Sequence, residues 1–175
     1  MKHFLVVVDM QRDFVNGSLG TAEAEAIIPR AVEKISRFNG DIFVTYDTHF
    51  SNYAESAEGR KLPVPHCILD TPGWELDGRI AEALEGKPVT RIRKYTFGSD
   101  VLPDRILEKS ADEDFSVELI GLCTDICVIS NALILKARFP EMPISVDASC
   151  CAGVTPALHE AALAVMQSCQ IDIIR

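Results

Sequence analysis

Residues from several separate places along this chain could do chemistry together. Gly121-Leu122-Cys123-Thr124-Asp125-Ile126-Cys127 joins an apolar, strand-like run (Phe115–Ile120) to a helix-like run (Asp125–Ala137). That junction puts Cys127 in the first turn of a helix, above a sheet edge. The unpaired N–H groups and partial positive charge of a helix N-terminus favour a thiolate, the nucleophilic form of cysteine. Asp9 ends a first apolar run, Phe4–Val8, and Lys94 ends another, Val89–Arg93. A thiol, a carboxylate and an ammonium on one rim make a nucleophilic machine. Cys127 would attack a carbonyl, Asp9 would carry the proton, and Lys94 would hold negative charge. Asp47 and His49 close a fourth run, and His66 follows 17 residues later. An aspartate with two histidines is a normal ligand set for a divalent transition metal, and Glu55 or Glu58, lying between them, could add an oxygen. Mixed N/O donors accept zinc, iron or manganese.

The elements that must position these groups alternate. Strand-like runs cover Phe4–Val8, Asp41–Tyr46, Val89–Arg93, Phe115–Ile120, Ile144–Val146 and Ile171–Ile174. Helix-like runs cover Glu23–Phe38, Glu75–Glu85, Asp100–Glu108, Asp125–Ala137 and Thr155–Ser168. Several strands are continuously apolar and β-branched, as parallel strands covered on both faces are. The pattern predicts a doubly wound α/β fold: a mainly parallel, six-stranded sheet with helices on both faces, formed as one domain over residues 1–175. Thr155-Pro156 supplies a cap and a first-turn proline for the last helix. Helix 125–137 is apolar almost all round, which predicts burial inside the domain or at a subunit interface. The stretch Thr48–Gly73 has little periodicity and contains Pro63, Pro65 and Pro72; such irregular segments are often functional.

Composition narrows the partners. The net charge of −9 argues against nucleic acid and anionic membranes, and no apolar run reaches membrane length. Met1-Lys2-His3 leads straight into Phe4–Val8, too short for the apolar core of a signal peptide, so a cytoplasmic location is expected. Six cysteines without a C-x-x-C pair fit reduced thiols better than disulfides or a zinc ribbon. His159-Glu160-Ala161-Ala162-Leu163 begins like a zinc-protease motif but lacks its second histidine, and no phosphate-binding glycine loop or serine elbow occurs.

The chain as a whole resembles the isochorismatase-like cysteine hydrolases, and among them the nicotinamidases. Val8-Asp9-Met10-Gln11-Arg12-Asp13-Phe14 looks like the family's first motif, Arg93-Lys94-Tyr95-Thr96-Phe97-Gly98-Ser99 like the segment around its lysine, and Gly121–Cys127 like its nucleophile motif. The resemblance implies Asp9, Lys94 and Cys127 as catalytic residues. It implies a cis peptide at Leu122–Cys123 and an oxyanion hole from the backbone N–H groups of Cys123 and Cys127. It implies Asp47, His49 and His66 as ligands of a divalent metal, zinc first among the options, with Glu58 before Glu55 as the middle ligand. In the family the ion and its waters engage the pyridine nitrogen of nicotinamide. Phe14 matches an aromatic pocket residue, and Tyr95 or Phe97 would supply another. Where the family often has an aromatic residue before the last histidine, this chain has Leu62-Pro63-Val64-Pro65. The implied reaction is hydrolysis of a small amide to an acid and ammonia through a cysteine thioester, nicotinamide being the first substrate and a carbamoyl or ureido amide the alternative. A homo-oligomer is also implied. Outside that class stands a non-catalytic module in which Cys127 senses oxidants.

Overall fold

The computed structural model describes residues 1–175. Six strands, β1 (Lys2–Val8), β2 (Asp41–Asp47), β3 (Val89–Lys94), β4 (Phe115–Leu122), β5 (Ile144–Ala152) and β6 (Asp172–Ile174), form one sheet in the order β3-β2-β1-β4-β5-β6. Every pairing is parallel. The expected doubly wound α/β sheet is therefore present, and it is wholly parallel. β1 shows why. Five of its seven residues are buried, and they alternate: Phe4, Val6 and Val8 enter one hydrophobic layer, Leu5 and Val7 the other. Each fully buried side chain of this kind contributes roughly 1.5–3 kcal/mol, so a strand buried on both faces anchors both layers.

Helices α2 (Ala22–Arg37) and α4 (Gly78–Ala83) cover one face, contributing Ile28, Ile35 and Ile80. Helices α5 (Leu102–Ser110), α6 (Ile129–Arg138) and α7 (Pro156–Ser168) cover the other, contributing Ile106, Leu135 and Met166. Two short helices, α1 (Arg12–Val15) and α3 (Ala57–Lys61), lie in loops where no helix is expected from the pattern. The cap predicted at Thr155 forms, and Thr21 supplies a second one. Thr155 Oγ1 accepts from the N–H of Leu158 at 3.2 Å, and at the start of α2 Thr21 Oγ1 accepts from that of Ala24 at 3.0 Å.

Three expectations need correction. β5 runs to Ala152, not Val146. Asp147 and Ser149 interrupt its apolar pattern, but Asp147 is held by Lys34 of α2 at 2.7 Å and Ser149 donates back to Asp147 at 2.7 Å. The expected helix 75–85 shortens to Gly78–Ala83, starting where Asp77 caps Arg79. The helix expected from Asp125 divides into a π-helical turn, Thr124–Val128, and α6. Within it Ile126, Ile129, Leu133 and Ile134 are only half-buried, so the apolar girdle is not fully covered.

The sheet order fixes where a site can be. The chain moves from β1 outward through β2 to β3, then returns to lay β4 on the other side of β1. The connections leaving β1 and β4 diverge and open a crevice at their carboxyl ends, the usual ligand position in such sheets.

Candidate active site

Register brings the expected residues to that crevice. Val8 pairs with Thr45 and with Gly121, so Asp9 emerges between β2 and β4; Asp47 pairs directly with Lys94. Gly121 has φ +123°, and a Cβ there would collide with the Val8 carbonyl, so only glycine lets β4 approach β1 this closely. Asp9 itself sits at φ 47°, a conformation that aspartate tolerates better than most residues.

Lys94 Nζ is the hub. It lies 2.6 Å from Asp9 Oδ2, donates to Asp47 Oδ1 at 3.0 Å and to the Thr96 carbonyl at 3.1 Å, and reaches Cys127 Sγ at 3.4 Å. Asp9, Lys94 and Cys127 are all at most 3% exposed. Asp9 Oδ1 accepts the Thr45 hydroxyl at 2.6 Å, while Oδ2 has no partner at hydrogen-bonding angles, only the ion pair with Lys94. An oxygen so placed is open to a proton. Burial raises Asp9 from the ordinary aspartate value, opposed by Lys94 and reinforced by Asp47. Burial opposes ionisation of Asp47 too, but its hydrogen bonds to His49 and His66 and the Lys94 charge hold it far below that value. Burial works against the Lys94 ammonium as well, yet the Asp9 charge, followed by Cys127 and Asp47, keeps it protonated. Two carboxylates pushed apart in this way can divide the labour, one carrying a proton and the other staying charged.

The thiol departs from expectation. Burial pushes Cys127 well above the ordinary thiol range, the Asp9 charge adds to this, and Lys94 offsets only part. Desolvation outweighs the Lys94 charge, so the resting group is a neutral thiol beside Asp9, which can take its proton. The turn that carries it has the expected cis peptide, Leu122–Cys123. The Cys123 carbonyl accepts from the N–H groups of Ile126 and Val128 at 3.1 and 3.0 Å, which winds the turn to the π pitch. The Cys123 N–H has no partner within the protein. Burial pushes the Cys123 thiol up to about 12, which leaves its sulfur inert.

Asp47, His49, Glu58 and His66 form one group whose ligand atoms all lie within 4.8 Å of one another. His49 Nε2 is 3.1 Å from Asp47 Oδ2 and 3.7 Å from Glu58 Oε1; His66 Nε2 is 3.5 Å from each. His66 Nδ1 is 2.8 Å from the Val64 carbonyl, a contact that turns Nε2 inward as second-shell bonds to metal-bound histidines do. Burial pulls His66 down, but hydrogen bonds to Asp47 and Glu58 lift it to about 10: the carboxylates concentrate negative charge and draw a cation to this point. The donor set and its geometry fit a divalent metal ion. Ser56 caps α3 at Gly59 and places Glu58 in the first turn, facing the histidines, whereas Glu55 is exposed and outside the group. Of the two glutamates, Glu58 is the one that lies in this group.

A cavity of about 560 Å³ joins the two constellations, lined by Asp47, His49, Glu58 and His66 on one side and Cys123 and Cys127 on the other. Phe14, Tyr95 and Phe97 all line it. Phe14 is buried with its ring 5.4 Å from that of His66, whereas Tyr95 and Phe97 stand exposed at the mouth, Tyr95 stacked on Phe50 at 5.9 Å. Leu62 and Ile126 complete the apolar wall.

Three supporting residues escape sequence reasoning. Gln11, fully buried, accepts from the Asp47 N–H at 2.7 Å and donates to the Asp47 and Trp74 carbonyls at 2.9 and 2.8 Å. Thr45 orients Asp9. Asn131 donates to the Cys127 carbonyl at 2.8 Å and accepts from the Ser99 N–H at 2.9 Å. Thr45 and Asn131 each leave the signal of a polar residue inside an apolar run, which by itself names no partner, whereas Gln11 lies among the charged residues Asp9, Arg12 and Asp13 and leaves none.

The isochorismatase domain family matches residues 3–175. The chain belongs to the isochorismatase family. A Bacillus subtilis member, the uncharacterized isochorismatase family protein PncA, is 30% identical over 146 residues, 76% of this chain and 78% of the relative. Among solved structures, the nicotinamidase/pyrazinamidase PncA of Bacillus subtilis superposes with a TM-score of 0.85 at 27% identity, covering all of both chains. The pyrazinamidase of Pyrococcus horikoshii, solved in complex with zinc, superposes with a TM-score of 0.79 at 29% identity, covering 100% of this chain and 99% of that one. Within the family the chain falls in the nicotinamidase-like branch.

Proposed function

We propose that this isochorismatase-family chain is a cysteine amidohydrolase that converts nicotinamide to nicotinate and ammonia. The observation that carries the reading is Lys94, which touches Asp9, Cys127 and Asp47 at once and so joins a nucleophile to the four-residue ligand group across one cavity. The nicotinamidase and pyrazinamidase relatives support hydrolysis of a heteroaromatic amide, and the zinc in one of them supports zinc here.

Cys127 Sγ attacks the amide carbon while its proton passes to Asp9 Oδ2. The carbonyl oxygen becomes an oxyanion, met by the N–H groups of Cys123 and Cys127. Collapse breaks the C–N bond, and Asp9 returns the proton to the departing nitrogen, releasing ammonia. Asp9 then takes a proton from water. The hydroxide attacks the thioester, the C–S bond breaks, and Cys127 leaves as a thiol carrying that proton. Lys94 stays cationic throughout and keeps Asp9 competent to cycle. Asp47, His49, Glu58 and His66 would hold a zinc ion, which would supply a Lewis-acidic point for a ring nitrogen. Phe14 lies where the ring would stack, with Tyr95 and Phe97 at the entrance.

The family match spans nearly the whole chain, supporting one domain over residues 1–175. All six cysteines are free, which supports a reducing, cytoplasmic setting, and no helix is long and apolar enough to cross a membrane. The redox-sensor reading loses ground because Cys127 is buried and its thiol is held neutral. The aliphatic wall at Leu62 leaves room for a second reading, a carbamoyl or ureido amide. Ammonia release from a panel containing nicotinamide, pyrazinamide and carbamoyl compounds tests both. Turnover of nicotinamide at the highest kcat/KM supports the proposal; turnover of carbamoyl compounds alone would replace its substrate.

A further inference from the structure

The first half of the nucleophile turn is held from outside. Thr124 has no solvent exposure, and its hydroxyl lies 2.8 Å from Nδ1 of His159, 35 residues later on α7. Asp125 Oδ1 accepts the Val154 N–H at 2.9 Å, and Gly153 has no Cβ to push that carboxylate away. The loop before α7 and the first turn of α7 therefore grip consecutive residues of the turn. Thr124 follows Cys123, the proposed oxyanion donor, and precedes Cys127 by three residues.

We propose that His159 is a positioning residue: through Thr124 it fixes the π-helical turn so that Cys127 Sγ and the Cys123 and Cys127 N–H groups converge on one carbonyl. This rests on the amidohydrolase reading above. His159 touches neither the cavity that holds the substrate nor any reacting group. Burial lowers its proton affinity, so it is neutral near pH 7. A hydroxyl both gives and accepts, so either neutral tautomer keeps the bond. The truncated protease-like motif at His159 thus acquires a role without a metal. An unsatisfied Thr124 hydroxyl would have to turn or draw in water, and the turn would shift with it. Displacements of even 1 Å at a reacting group can cost about 100-fold in rate.

The test compares His159→Leu, His159→Asn and Thr124→Val, alone and combined. Asparagine can place a polar atom near the Nδ1 position; leucine cannot. His159→Leu is expected to lower kcat by roughly 10- to 100-fold, with KM within about twofold and an unchanged melting temperature. His159→Asn is expected to recover most of the rate. The double variant Thr124→Val/His159→Leu is expected to be no worse than His159→Leu alone, since both remove one bond. Amide hydrogen exchange at residues 123–128 needs no substrate and should quicken in His159→Leu, which keeps this inference testable if the panel shows no amide turnover. Full activity in His159→Leu with unchanged exchange would overturn it. So would equal losses in the Leu and Asn variants that track a fall in melting temperature.

Discussion

The two halves of the cavity are built differently. The Asp9–Lys94–Cys127 side comes from the ends of β1, β3 and β4, is at most 3% exposed, and is tied together by the sheet register. The facing side takes Glu58 and His66 from the irregular segment between β2 and β3, and only Asp47, at the end of β2, belongs to both. Strand ends hold a few groups in nearly fixed relation, which suits bond making. A loop can change length and lining without disturbing the sheet, which suits substrate choice. The chemistry and the selectivity of the proposed enzyme are therefore separable, and substitutions should show it.

The largest effects belong to the strand side. Asp9→Asn leaves the shape but removes the proton carrier, and turnover should fall by about 10²–10⁴-fold in steady-state assays with little change in KM. Lys94→Met should cost stability as well as activity. It leaves Asp9 and Asp47 buried without their cation, a change worth roughly 3–5 kcal/mol in urea unfolding. Weakening of that size confined to Lys94 and absent in loop variants would sharpen the contrast; equal weakening in both would break it.

Loop variants should uncouple metal from fold. Glu58→Gln or His66→Ala should lose the bound ion, read by elemental analysis of chelator-free protein, and raise KM for nicotinamide. The metal-free proteins should melt near the parent's metal-free temperature, because neither residue belongs to the sheet. Stoichiometric metal retained in His66→Ala would contradict the ligand assignment.

The smallest effect is expected at a charge cluster away from the cavity. Lys34 bridges Glu118 and Asp147 on the α2 face. Burial works against Asp147 ionisation, but the bonds from Lys34 and Ser149 outweigh it and depress its proton affinity in the folded state. A depressed carboxylate stabilises the fold above its unfolded value, about pH 3.9, and loses that contribution as the pH falls through the folded value. Asp147→Asn should thus be less stable by roughly 1–2 kcal/mol at pH 7. The difference should close on acidification below about pH 4, and kcat should not change.

The sequence exposed the strand side better than the loop side, for a physical reason. Each strand is an apolar run, so the polar residue ending it stands out, and parallel topology puts all such ends on one rim. Asp9, Asp47 and Lys94 were legible in that way, and Cys127 through the glycine-led turn before it. Its protonation was not, because a helix terminus is visible in sequence and the depth of burial is not. The choice of Glu58 over Glu55 depended on a single turn of α3 capped by Ser56, too short to leave a periodic signal. Gln11 and His159 act across 36 and 35 residues of chain, and no local pattern records such partners.

The central claim is that Cys127 forms the bond to the substrate. Ammonia release from nicotinamide by Cys127→Ala protein, with its metal content and melting temperature matched to the parent, tests it most directly. The account predicts no release above the uncatalysed rate. Release at a rate comparable with the parent's would contradict it.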